Sequence, residues 1–246
     1  MSEVSLESFL GKTEKEAKQA YIGNLVAGVK QKIIVPLIKA GISKEVILKT
    51  TQNYISQGYN SILALPSYAE EVLKVNKGEG INCGVLIGYP LGENKVESIL
   101  AEIKTWAKSK VNEIVVVLPL SDLKFNKCKL SEKIVKTLVK LSKKKRVGIM
   151  INSNYLNDVE LADVSKRLGD SKIDKLYVST GFYKDPYDVR FVNAYKKVRT
   201  NAIIKYAYAC ASNTFEEVQQ SLQNCDFVLT ENANSILEEM VSKISL

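Results

Sequence analysis

The chain has 246 residues, of which 46% are hydrophobic and none is histidine. That is enough for one large core, and it excludes Ser-His and Cys-His nucleophile pairs and histidine-ligated zinc. The excess of 35 Lys and Arg over 27 Asp and Glu, a formal +8, favours anionic partners. Much of it is lysine spread over helix faces, including Lys143-Lys144-Lys145-Arg146. With no zinc-finger pattern, RNA-binding aromatic signature or long basic tail beside it, the sequence argues against nucleic acid as the partner.

The cysteines Cys83, Cys128, Cys210 and Cys225 lie far apart without a CxxC pair. They read as reduced, mostly buried thiols rather than a disulfide framework or a metal site. No apolar run approaches the roughly 18 residues of a membrane span, and the first residues lack a basic-then-apolar leader. The expectation is a cytoplasmic chain with no membrane partner.

In chain order, residues 3–30 read as one or two helices forming an N-terminal extension, a lid or cap. From Lys32 the pattern changes to short apolar runs alternating with amphipathic segments. A strand at 33–35 is cut short by Pro36, and Ser43 caps a helix that Gly58 stops. Strands follow at 61–65, 82–87, 113–118, 147–152, 175–179, 202–208 and 227–229. Helices follow at 68–76, 95–109, 131–143, 159–169, 188–198, 214–224 and 235–242, with a turn at Pro66-Ser67 and a loop at 88–92.

Runs such as Ile114-Val-Val-Val-Leu118 are continuously apolar, as strands covered on both faces are, so the sheet should be parallel. Eight strand-helix pairs predict an α/β fold, the (β/α)₈ TIM barrel, as a single domain over 1–246. No G-x-G-x-x-G follows the first strand, which speaks against a dinucleotide site. At the end of the sixth strand, Ser179-Thr180-Gly181 offers hydroxyls and backbone N–H groups, as a phosphate or carbonyl site needs. The same residues also suit an ordinary strand-ending turn.

The order of several motifs carries a resemblance. Gly58-Tyr-Asn-Ser-Ile-Leu-Ala-Leu-Pro-Ser-Tyr68, Ile87-Gly-Tyr-Pro-Leu-Gly92, Asn112-Glu-Ile114, Val178-Ser-Thr-Gly-Phe182 and Ile204-Lys205 together resemble the deoxyribose-phosphate aldolase family, over about residues 32–240. The resemblance implies a (β/α)₈ barrel that cleaves 2-deoxyribose 5-phosphate to glyceraldehyde 3-phosphate and acetaldehyde. It implies a lysine Schiff base and no metal or other cofactor.

The sequence departs from that pattern at the chemistry. Tyr177 stands in the place of the Schiff-base lysine, and a phenol cannot form an imine. Val115 replaces the proton-shuttling aspartate, Leu63 the strand-two cysteine and Ile151 the strand-five glutamate, and the first strand lacks the family's Asp-His-Thr. Ala207-Tyr208-Ala209 and Thr230-Glu231-Asn232 replace the two phosphate loops. A glutamate there repels a phosphate dianion.

Lys205 matches a family lysine on the seventh strand. If it points into the barrel mouth, burial would lower its pKa and make it nucleophilic. One reading is therefore an aldolase with a displaced Schiff base on Lys205 and Tyr177 as proton donor. The other is a catalytically inactive barrel that binds a sugar phosphate, an aldehyde or a protein partner. Ser179, Thr180, Gly181, Lys184 and Asn232 are the candidate ligand residues for either, and a homo-oligomer is left open.

Overall fold

The computed structural model describes residues 6–76, 81–169, 171–182, 188–198, 205–209 and 214–245. Their apolar runs form eight parallel strands that close in sequence order: β1 (Ile33–Leu37), β2 (Ser61–Ala64), β3 (Asn82–Ile87), β4 (Glu113–Val117), β5 (Arg146–Met150), β6 (Lys175–Tyr177), β7 (Lys205–Ala209) and β8 (Phe227–Leu229). Helices α1 (Leu6–Lys32), α2 (Lys44–Ser56), α3 (Pro66–Val75), α4 (Val96–Ala107), α5 (Leu120–Phe125), α6 (Lys129–Val139), α7 (Asp158–Leu168), α8 (Arg190–Val198), α9 (Phe215–Leu222) and α10 (Ala233–Ser245) surround them. The fold is the expected (β/α)₈ barrel. Among the described residues, no helix is long and apolar enough to cross a membrane.

The register is set by a recurring device at the entry to three even-numbered strands. Asn112, Asp174 and Asp226 each precede their strand. Each donates its N–H to a carbonyl on the preceding strand, of Cys83, Val147 and Tyr206 in turn. Each side-chain oxygen accepts the N–H of the same residue, at 2.9, 2.7 and 2.8 Å. This two-way bond fixes which residue lies opposite which, and with it which side chains point inward.

Alternation then sorts the inward side chains into rings of four drawn from alternate strands. From the N-terminal end, the register gives Asn82, Arg146 and Lys205, which share the cavity wall with Lys32, the last residue of α1, then Ser61, Glu113, Lys175 and Phe227. Above these come Ile34, Gly84, Gly148 and Ala207, then Leu63, Val115, Tyr177 and Leu229. The upper interior, including Leu86, Val117 and Met150, is a closed aliphatic cluster. The outward residues pack against the helices as a second, larger core. The barrel is therefore charged inside at its N-terminal end and apolar towards its C-terminal end.

Two local expectations are corrected. Pro36 lies within β1 instead of ending it. Its nitrogen faces the β8 side, and the β8 register ends at Ile34↔Leu229, so no ladder N–H is required of it. Pro66 opens α3 rather than a turn, because a proline in the first helical turn lacks only an N–H that would have had no partner. The N-terminal segment is one helix running directly into β1, and α5, which sequence patterning did not identify, follows β4.

Candidate functional site

β6 carries the first candidate site residue, Tyr177. Tyr177 is fully buried, and its ring has room because the flanking positions are small. A Cβ on Gly148 would sit 3.4 Å from the Tyr177 ring, and the residue opposite Tyr177 on β7 is Ala207.

The phenol is directed towards the N-terminal end of the barrel. It donates to Glu113 Oε1 at 3.3 Å, and Lys175 Nζ donates to Glu113 Oε2 at 2.9 Å and to the Tyr177 hydroxyl at 3.3 Å. Glu113 and Lys175 are themselves buried. Burial first, then the charge of Glu113, holds the Tyr177 pKa well above its ordinary value. Tyr177 is thus a permanent donor to Glu113 near neutral pH.

At the C-terminal mouth, the polar atoms of the Ser-Thr-Gly turn are engaged locally. Ser179 Oγ accepts the Gly181 N–H at 3.1 Å, and Gly181 holds φ +66°, a conformation that favours glycine. Thr180 is buried, donates to Asn152 Oδ1 at 2.6 Å and accepts the Phe182 N–H at 3.4 Å. Across the mouth, Glu231 pairs with Lys39 at 3.4 Å. Tyr89 lies close enough that burial and the Glu231 charge push its phenol up to about 12. The Asn232 N–H bonds to Thr230 Oγ1 at 3.2 Å, and its side chain is exposed. Lys184, and Ile203 and Ile204 beside Lys205, lie outside the described residues.

Lys205 is the first residue of β7, two positions before Ala207, and it is exposed. Its amine lies over the Phe227 ring, 5.4 Å from the centroid. It therefore stands at the N-terminal end of the barrel, away from the Ser-Thr-Gly turn. A cavity of about 570 Å³ opens there, lined by the two lowest rings and by the last turn of α1. The buried Glu113–Lys175 pair was missed from sequence. Its signal was a charged residue at the first inward position of an otherwise apolar strand. Among the described residues, no group of three or more Cys, Asp or Glu side chains gathers as a metal site would require.

No protein-family model matches the chain. It is 22% identical over 211 residues to the deoxyribose-phosphate aldolase of Mycoplasmoides pirum, covering 84% of this chain and 95% of that protein. It is 26% identical over 188 residues to that of Mycoplasma pneumoniae, covering 74% and 81%. The chain is thus similar, at low identity, to the deoxyribose-phosphate aldolases.

Solved structures agree in fold. The deoxyribose-phosphate aldolase from Aeropyrum pernix, described as a tetramer, superposes with a TM-score of 0.76 at 20% identity, over 89% of this chain and 92% of that one. A putative deoxyribose-phosphate aldolase from Coccidioides immitis gives 0.80 at 14% identity, over 88% and 87%. Within this deoxyribose-phosphate aldolase-like barrel, the described inward positions from Ile34 up to Val117 carry aliphatic or small side chains apart from Tyr177.

Proposed function

We propose that this chain is a catalytically silent relative of the deoxyribose-phosphate aldolases, a barrel that binds a ligand and does not cleave 2-deoxyribose 5-phosphate. The observation that carries the reading is Tyr177. The position that the family resemblance gives to the imine-forming lysine holds a fully buried phenol, bonded to Glu113 and turned from the C-terminal mouth.

The family reaction needs an amine to attack the aldehyde carbon and an acid-base group to move protons beside it. Tyr177 offers no amine nitrogen, and Val115, in the aspartate's place, offers no proton-transferring group. Glu231 adds a negative charge at the rim where the substrate phosphate would be received, and its pairing with Lys39 offsets that charge from an exposed side chain. An imine displaced to Lys205 would form at the opposite end of the barrel, separated from the Ser179-Thr180-Gly181 turn by the apolar interior.

The test is acetaldehyde release from 2-deoxyribose 5-phosphate by the purified chain, with an active deoxyribose-phosphate aldolase as control. The expected result is release no faster than in buffer. Sustained turnover proportional to protein concentration would overturn the reading.

A further inference from the structure

The charged end of the barrel is opposite to the end at which (β/α)₈ enzymes place their active sites. Its lowest ring holds Arg146 and Lys205 with Asn82, and these three and Lys32, the last residue of α1, line the cavity of about 570 Å³. In the next ring above, Lys175 is already neutralised by Glu113 at 2.9 Å. The other two carboxylates on the cavity wall, Asp174 and Asp226, each give an oxygen to a backbone N–H of the strand register.

Among the described residues, no carboxylate comes within ion-pair distance of Lys32, Arg146 or Lys205. Lys205 is instead positioned over the Phe227 ring, which Lys175 also approaches, at 4.8 Å. The aromatic face orients the Lys205 ammonium without cancelling its charge. Arg146 donates to the Asn82 side chain, a neutral acceptor. Three cations thus converge on a concave space with neutral hydrogen-bonding groups around it, against two carboxylates that are tied to the backbone.

We propose that this N-terminal cavity is a binding site for a small phosphate monoester. Lys32, Arg146 and Lys205 would hold the phosphate, and Phe227, Ser61 and Asn82 would border the organic part. A guanidinium fork and two ammonium groups suit a dianionic, several-oxygen headgroup, and the cavity is larger than one phosphate ion requires. The site uses none of the residues at the C-terminal mouth, so it stands whether or not an aldol cleavage occurs there.

The experiment is thermal denaturation of the whole chain with inorganic phosphate and, separately, with ribose 5-phosphate, against chloride at matched ionic strength. A ligand that binds the folded state raises its stability by mass action. The proposal predicts stabilisation by both probes and a stronger effect from the ester. It also predicts that the double variant Lys32→Gln, Lys205→Gln binds about tenfold more weakly or worse. Lys39→Gln, at the other end of the barrel, should leave the affinity unchanged. Melting in chloride alone checks that each variant folds. Stabilisation no greater than that by chloride, or stabilisation undiminished in the double variant, would overturn the proposal.

Discussion

Tyr177 fills a barrel interior whose adjacent strands offer Gly148 and Ala207 beside it, and its hydroxyl completes a buried triad with Glu113 and Lys175. A buried ion pair offers little net stability over a well-packed apolar pair, but removing one partner leaves a charge with neither water nor counter-ion. Lys175→Met should therefore lower unfolding free energy by about 3 kcal/mol. Glu113→Gln combined with Lys175→Met should recover much of that loss. Urea denaturation of the two variants checks both, and equal losses would contradict the argument. The tyrosine's place in the family motif was legible in sequence, because it lies two residues before Ser179. Its direction was not, since that depends on glycine and alanine from strands far apart in the chain. Lys205 was misplaced for a similar reason. Matching a motif gives a strand, but the level within the barrel follows from register, and register pairs Lys205 with Lys175 instead of Tyr177.

At the scale of elements, α5 and α6 depend on one buried carboxylate. α6 starts from Cys128, at φ +58° and without a side-chain cap, after Lys127 at φ +51°. Asp122 on α5 supplies what the cap residue lacks. It accepts the Leu130 N–H at 3.1 Å and both the Ser131 N–H and hydroxyl at 2.7 Å. These are donors at the first turn of α6, where a negative charge also meets the positive end of the helix dipole. Asp122→Ala should cost about 2 kcal/mol, measured as a lower urea midpoint with an unchanged denaturant slope. A loss within experimental error would show that water serves these donors equally well. The strong elements were legible because their signals are local. Ser43 caps α2 as expected, accepting the Val46 N–H at 3.4 Å, and Gly58 follows the helix at φ +80°. α5 escaped because six residues are too few for a periodic pattern, and its reason to exist, the Asp122–Ser131 contact, spans two elements.

For the whole molecule, closure of the barrel buries groups that would otherwise ionise in alkali. Burial raises the thiols of Cys83 and Cys128 from 9.0 to about 12, with nearby acids, Asp122 first, adding to the effect at Cys128. It raises the phenols of Tyr59 and Tyr89 from 10.0 to about 12. The folded state therefore keeps protons that the unfolded chain has already released, and stability falls with rising pH wherever the unfolded state binds fewer. The contribution of these groups should be fully present below pH 9.0 and decline from there to about 12. Cys83→Ala should make that decline shallower in a series of urea midpoints. An unchanged slope would remove Cys83 from the account. At the same scale, the barrel class was legible from the alternation of eight apolar runs with helices. The separation of a charged N-terminal interior from an apolar C-terminal one was not, because each strand contributes only one or two residues to it.

The central proposal is that, among the described residues, the C-terminal mouth of this deoxyribose-phosphate aldolase-like barrel holds no imine-forming lysine. Its most direct test is reduction with borohydride in the presence of acetaldehyde, followed by mass mapping of the peptides. The account predicts no saturable, site-specific lysine adduct. A stoichiometric ethyl adduct on one lysine, formed at low acetaldehyde and blocked by 2-deoxyribose 5-phosphate, would contradict it.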